Sequence, residues 1–358
     1  MDPNYNKSHS PDANLPVGRP PGHRRRQRYP GKYPRRFEEK YKEHDPARYG
    51  DTVAKVLSSG KTPAGTHRPI MVAEILALLE PRPGQLAVDC TLGYGGHAEA
   101  LLPRLLPGGK LLGLDADPLE LPKTEARLRD LGFGPDEFIA VRSNFAGLAR
   151  ALLGAGWPGA DLILADLGVS SMQLDNPARG FSTKFTGPLD MRMNPRRGEP
   201  VSALVKRITP DALAAILNAN SNEPHAKILG ASLAGQEFSS TLELSAGIRA
   251  ALAERATDEQ ELAIRRVFQA LRIEVNEEFS ALESLLRELP GCLLPGGKVA
   301  ILTFHSGEDR RVKQAFAEGL RQGRYARVAE EVLRPGPEER AKNPRSSSAK
   351  LRWARKSV

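Results

Sequence analysis

Asp89-Cys-Thr-Leu-Gly-Tyr-Gly-Gly-His97 is the stretch on which the reading of the fold turns. The apolar run before it, Gln85-Leu86-Ala87-Val88, reads as a buried strand, and Ala98 to Leu106 after it reads as a helix. A strand, a glycine-rich turn and a helix in that order build a place for a nucleotide-like ligand. The glycines let the backbone approach the ligand closely and take up positive φ. The helix N-terminus offers free N–H groups and a positive dipole end to a carboxylate or phosphate.

Working outward, Met71 to Leu79 has apolar residues at helical spacing, and Pro81-Arg82-Pro83-Gly84 stops it. Downstream, Pro107-Gly108-Gly109 turns the chain into a second strand, Lys110 to Leu114, ending at Asp115. A helix carrying Leu121, Leu128 and Leu131 follows. Phe138 to Val141 reads as a third strand, ending at Ser143-Asn144-Phe145, and Asp161 to Ala165 as a fourth, ending at Asp166. Strands alternating with helices predict an α/β fold with a parallel, doubly wound sheet and right-handed crossovers. Ligands of such sheets bind beyond the carboxyl ends of the strands, where Asp89, Asp115, Asn144 and Asp166 all fall.

After Asp166 the alternation stops. Residues 167–200 read as a long loop with scattered Leu, Phe and Met, the mark of a functional loop more than a disordered one. From Val201 to about Leu289 the pattern is helical, with an Asp258/Glu261 capping box and a stripe running Ile264, Val267, Phe268, Leu271, Val275, Phe279, Leu282. Pro295-Gly296-Gly297 then turns into a fifth strand, Lys298 to Phe304, ending at His305-Ser306. A helix follows from Glu308, and Ala349 to Arg355 alternates as a last strand. The expected organisation is therefore a basic disordered extension over 1–60 and a first part of the α/β domain over 61–180. An inserted all-helical substrate domain over 181–271 follows, then the second part over 272–358 with a basic tail.

Composition limits the partners. The chain has 358 residues, is 40% hydrophobic and carries a net charge of +9. Residues 1–60 hold a net +6 and residues 334–358 another +6, which leaves the body slightly acidic. Basic ends on an acidic body point to a polyanion met by the termini, nucleic acid above all. Arg24-Arg25-Arg26-Gln27-Arg28 with Tyr29, Tyr33, Phe37 and Tyr41 suits phosphate contacts and stacking. No run approaches the ~18 apolar residues of a transmembrane helix, so no membrane partner is expected. Two cysteines, Cys90 and Cys292, suggest neither a disulfide framework nor a metal site, and fit a cytoplasmic protein.

The glycine turn and the acid about 20 residues further on suit either a dinucleotide or S-adenosylmethionine, since both offer ribose hydroxyls. The turn lacks the third, helix-packing glycine, and helices stand where a second mononucleotide half would be. Both points favour S-adenosylmethionine. Further blocks carry a closer likeness: His67-Arg68-Pro69-Ile70-Met71-Val72-Ala73-Glu74, Asp166-Leu167-Gly168-Val169-Ser170-Ser171 with Gln173-Leu174-Asp175, and Arg179-Gly180-Phe181-Ser182. Gly187-Pro188-Leu189-Asp190-Met191-Arg192-Met193, Phe268-Gln269-Ala270-Leu271-Arg272-Ile273, Phe304-His305-Ser306 with Glu308-Asp309-Arg310, and Asn343-Pro344-Arg345 complete them.

With these blocks, spread over about 67–355, the chain resembles the RsmH (MraW) family. The resemblance implies a class I S-adenosylmethionine-dependent methyltransferase with an inserted helical domain. It implies methylation of the N4 amine of a cytosine in the decoding region of 16S ribosomal RNA, within the small ribosomal subunit. It also implies cofactor contacts from Gly95, Gly96, His97, Asp115, Phe145, Asp166 and Gln173, and no metal. Asp166, at the end of the fourth strand, is the candidate catalytic residue, with cofactor binding alone as the other role open to it. Phe145 is an adenine stacker by resemblance and a core residue on sequence alone. The chain departs from the family at Leu262-Ala263-Ile264 (usually His-Pro-Ala), Asn222-Glu223-Pro224 (usually Gly-Glu-Glu), Gly307 (usually Leu) and Ser347 (usually Arg). These departures leave a non-catalytic or retargeted RNA-binding assembly factor as the alternative, and a homodimer stays open.

Overall fold

The computed structural model describes residues 69–358. The basic extension expected over 1–60, and the His67-Arg68 start of the first block, lie outside the described residues. Strands β1 (Leu86–Asp89), β2 (Lys110–Asp115), β3 (Phe138–Arg142), β4 (Ala160–Asp166), β5 (Leu293–Thr303), β6 (Tyr325–Val328) and β7 (Lys350–Lys356) form one sheet in the order β3-β2-β1-β4-β5-β7-β6. β1 to β5 pair in parallel, β7 lies antiparallel to β5, and β6 antiparallel to β7. This is the mixed seven-stranded, Rossmann-like arrangement of a class I methyltransferase.

The central strands are apolar throughout because both faces are covered. Successive residues alternate between two cores. Val88, Leu112, Ile163, Val299 and Ile301 face one, with α4 (Leu148–Gly154), α11 (Glu278–Cys292) and α12 (Ser306–Arg321) against it. Ala87, Leu111, Leu162, Leu164 and Leu302 face the other, under α1 (Val72–Leu79), α2 (Gly96–Leu105) and α3 (Leu121–Asp130). The strand order reverses between β1 and β4, which opens the ligand crevice at their carboxyl ends.

A third apolar cluster, from Phe181 to Leu271, is built by α6 (Val201–Arg207), α7 (Pro210–Ser221), α8 (Ala226–Leu233), α9 (Thr241–Ala251) and α10 (Thr257–Val275). Ile264, Val267, Phe268 and Leu271 of α10 are buried in it. The capping box read at Asp258 and Glu261 does not form: α10 starts after Ala256 with no side-chain cap, and Glu261 pairs with Arg249 at 2.7 Å. The stripe read through to Leu282 also breaks. Glu277 turns the chain at φ 52, and Leu282 of α11 packs under the sheet instead. Two successive helices with one periodicity give no signal of the break when neither Gly nor Pro marks it.

The turn read at Pro295-Gly296-Gly297 is an irregularity inside β5, with a register shift opposite Ala160 and Leu162. β6, the four-residue edge strand, was not legible, since its middle residues are exposed and it has no apolar run. Among the described residues, no helix is long and apolar enough to cross a membrane.

Candidate active site

A cavity of about 510 Å³ lies at the carboxyl ends of β1, β2, β4 and β5. Its floor is the glycine loop. Gly93 (φ 51) and Gly95 (φ 79) take the left-handed conformation that side chains resist. A Cβ on Gly95 would lie 2.8 Å from Thr124 Cγ2, so the position excludes a side chain twice over. Gly96 starts α2 against the Pro69 ring, and α2 has no side-chain N-cap. Asp89 braces the turn, accepting the Thr91 N–H at 3.1 Å, and Thr91 Oγ1 accepts the Asp166 N–H at 2.6 Å. The ends of β1 and β4 are thus tied together under the cavity.

Asp115 ends β2 and holds two loops at once. Its Oδ2 accepts the Gly93 N–H at 2.7 Å and its Oδ1 the Asp117 N–H at 2.8 Å. Burial pushes the Asp115 carboxyl up to about 6, against the pull of those two N–H groups. Burial likewise pushes Asp89 up to about 6, opposed chiefly by His97.

Asp117 was not singled out in the sequence, yet it is 1% exposed and central. It accepts from Arg179 Nη1 at 2.7 Å and from Gln173 Nε2 at 2.9 Å. Arg179 Nη2 donates onward to the carbonyls of Arg192 and Met193. Gln173 Oε1 accepts the Ser170 N–H, closing a capping box at the start of α5 (Ser171–Asp175). One buried network therefore joins the β2 loop, the loop after β4 and the 187–193 loop. Removing one member of a buried ion pair leaves an unpaired charge and costs about 3–5 kcal/mol. Arg179→Ala should therefore lower the unfolding free energy by that amount in denaturant titration, and a change under ~1 kcal/mol would contradict the network's role.

His97 and Asp166 face each other across the cavity. Nε2 and Oδ2 are 3.5 Å apart, and the His97 and Asp166 side chains are 7% and 17% exposed. At that separation the pair is an ionic contact more than a well-formed hydrogen bond. His97 Nε2 and Asp166 Oδ1 are buried without a hydrogen-bond partner among the described residues. Burial opposes charge on the imidazole, but Asp166, with Asp89 and Glu339 behind it, outweighs burial and holds its pKa above the ordinary value. The resemblance implies a cofactor contact from His97, and the structure places His97 in the lining of the cavity.

The remaining predicted residues, Gly95, Gly96, Asp115, Phe145 and Gln173, line the same cavity. Phe145 also packs against the first core, as its reading on sequence alone expects. The opposite wall comes from Arg272, Asn276, Glu278, His305 and Glu308. Arg272 binds Glu278 through Nε at 2.8 Å and Nη2 at 2.9 Å. His305 caps α12, its Nδ1 accepting the Glu308 N–H, and its ring lies 5.8 Å from Phe279. Burial raises the Glu308 pKa, but its bond to His305 leads the groups that bring it below the ordinary carboxylate value. Glu278, His305 and Glu308 bring ligand-type atoms within 4.8 Å of one another. Both Glu278 oxygens are taken by Arg272 and Glu308 by His305 and the Phe304 N–H, which accounts for the cluster as ion pairs. Arg192 folds back on Asp190 at 2.7 Å, while Met193 reaches the cavity.

The departures have local explanations. Asn222 stands in the left-handed conformation (φ 50) as the C-cap of α7, a position that suits Gly and that Asn tolerates. Ala263 and Ile264 pack in the helical core and Leu262 is exposed; none lines the cavity. A Cβ on Gly307 would meet Phe279 Cζ at 2.7 Å, so here the Phe279 ring occupies the space. Ser347 does line the cavity.

A model of the MraW methylase family matches residues 64–357. The ribosomal RNA small subunit methyltransferase H 1 of Lachnoclostridium phytofermentans is 45% identical over 363 residues, covering 99% of each chain. The ribosomal RNA small subunit methyltransferase H 2 of Alkaliphilus metalliredigens is 46% identical over 339 residues, covering 92% of this chain and 97% of its own. Among solved structures, a putative rRNA-methylase from Clostridium thermocellum covers 82% of this chain and 98% of its own, at 10% identity and a TM-score of 0.40. On the family match from 64 to 357 and on relatives this similar over nearly their whole length, the chain belongs to the MraW methylase family.

Proposed function

We propose that this protein transfers a methyl group from S-adenosylmethionine to the exocyclic N4 amine of a cytosine in the decoding region of 16S ribosomal RNA. The observation that carries the reading is the Asp166 carboxylate, held beside His97 with its buried Oδ1 unpartnered, at the end of β4 in the cavity. The cavity also fits the cofactor. Each Asp115 oxygen accepts one N–H and keeps a lone pair for a ribose hydroxyl. Gln173 keeps a second amide proton, and Phe145 offers a ring. Gly95, Gly96 and His97 present backbone at the start of α2, and Asp115 and Asp166 line the cavity with acids that suit a ligand of net positive charge.

When bound, S-adenosylmethionine supplies an electrophilic methyl on a sulfonium. The protein's part is alignment and charge. The cytosine amine is a poor nucleophile because its lone pair is delocalised into the ring. Asp166 Oδ1, accepting an N–H of that amine, localises the pair, stabilises the positive charge that develops and takes the proton as the C–N bond forms. His97 holds the carboxylate in place and balances its charge. The helical segment over 181–271 is the part that meets RNA, together with the basic ends.

A pH dependence follows. Asp89 and Asp115 titrate near 6 instead of 3.8, and His97 lies above its ordinary value. Folded pKa values above the unfolded ones give stability that is complete below the unfolded pKa and lost as pH rises through the folded one. The contribution of these three groups to the stability of the ligand-free protein should therefore be lost from about pH 4 to above 6. A cationic ligand favours the deprotonated state of the Asp89 and Asp115 carboxyls, while His97 keeps its proton beside Asp166. Cofactor binding should release protons near pH 6, and affinity should rise with pH by up to about tenfold per unit for each proton released. Calorimetry at pH 6 in buffers of different ionisation enthalpy measures this, and buffer-independent heats would contradict it.

The reading itself is tested by incubating the protein with radiolabelled S-adenosylmethionine and undermethylated small subunits. Label in 16S RNA is expected. Saturable cofactor binding without transfer to any RNA would favour a non-catalytic assembly factor instead.

A further inference from the structure

We propose that Arg272 reads the acceptor base, gripping the O2 and N3 edge of a cytosine through its terminal guanidinium fork. This rests on the cytosine-N4 reading above and adds to it the group that selects the base. An enzyme acting on a base must take it out of the stack and hold it by its edge. The Arg272 side chain is 16% exposed and lines the cavity that Asp166 also lines. Glu278 grips it side-on, one oxygen on Nε and the other on Nη2. That leaves the end-on edge, Nη1 with the second Nη2 proton, with no hydrogen bond among the described residues. A guanidinium locked this way is a planar donor pair fixed in direction.

Its neighbours in the wall are already committed. Asn276 Nδ2 donates to the Met191 and Arg272 carbonyls, and its Oδ1 accepts the Met193 N–H. Glu308 is taken by His305 and the Phe304 N–H. Arg272 thus keeps an open, planar pair of donors in that wall. It sits in the Phe268-to-Ile273 block, where Phe268, Ala270 and Leu271 are explained by the helical core while the arginine faces the cavity.

Cytosine presents O2 and N3 as adjacent acceptors, with N4 beside them. A fork on O2 and N3 would fix the ring and leave the amine free for Asp166. Uracil places a donor at N3, and adenine pairs its N1 with a carbon, so neither matches the fork. The same geometry therefore serves both selection and orientation.

The test uses the full-length protein saturated with S-adenosylhomocysteine, and measures binding of cytidine 5′-monophosphate and its 3-deaza analogue by ligand-observed NMR. The analogue keeps O2, N4 and the phosphate and loses the N3 acceptor. The wild-type protein should prefer cytidine monophosphate by roughly tenfold or more. Arg272→Gln should bind the two alike, somewhat below the wild-type level for the analogue because the O2 contact is lost as well, so that cytidine monophosphate is weakened by far the more; S-adenosylhomocysteine affinity, retained, is the fold control. Glu278→Gln, which leaves the arginine but removes its lock, should reduce the preference without abolishing it. Equal weakening of both ligands by Arg272→Gln would place the guanidinium on phosphate or in the scaffold and overturn the proposal. So would a full preference in that variant, or no discrimination by the wild-type protein. Failure of the wild-type protein to methylate any cytosine of small-subunit RNA would sink the underlying reading instead.

Discussion

Asp166→Asn should slow methyl transfer by about two to three orders of magnitude while changing cofactor affinity by only a few-fold. The asparagine keeps the shape and one acceptor oxygen. It loses the charge that stabilises the amine as it becomes cationic, and the base that takes its proton. It also strips His97 of its charge partner, which lies 3.5 Å away in a buried setting. The backbone tie that shapes the floor, Asp166 N–H to Thr91 Oγ1, does not depend on the side chain and should survive. Single-turnover rates and cofactor titrations on the same preparation separate the effects. Lost binding at unchanged turnover per bound complex would leave Asp166 as a cofactor ligand only.

Gly95→Val should weaken cofactor binding by about a hundredfold, from two independent causes. The left-handed backbone at φ 79 penalises a residue with a Cβ, and a β-branched one most. The new Cβ also meets Thr124 Cγ2 at 2.8 Å. Since α3 is anchored by Leu121 and Leu128 in the second core, the loop is the side that yields, and it is the loop that forms the cavity floor. Thr124→Ser removes that methyl group but retains the hydroxyl bonded to the Gly93 carbonyl. In the double variant the steric part should return and the backbone part remain, a coupling that independent sites would not show. Wild-type affinity in Gly95→Val would mean the loop is not where the ligand sits.

The fold was legible because its signals are local. Strands buried on both faces read as short apolar runs; β1, β2 and β4 end on Asp89, Asp115 and Asp166, the last two lining the crevice. Glycines 93 and 95 mark a turn that side chains cannot make. What stayed hidden depends on distance. Asp117 and Arg179 are 62 residues apart, and each alone looks like an ordinary surface charge. Arg272 and Glu278 lie on either side of a helix break that the continuous stripe conceals. The pairing of the His97 ring with Asp166 likewise joins residues far apart in the chain. Asn222 and Gly307 read as departures from the motif; one forms a left-handed cap, and the other makes room for Phe279.

The most direct test of the central claim is the identity of the methylated nucleoside. Undermethylated small subunits would be incubated with the protein and methyl-labelled S-adenosylmethionine, and the 16S RNA digested to nucleosides for chromatography and mass spectrometry. The label should elute as N4-methylcytidine and accumulate about two to three orders of magnitude more slowly when Asp166→Asn replaces the wild-type protein. Label on a ring carbon or on another base would contradict the assignment of Asp166 as the group that activates an exocyclic amine.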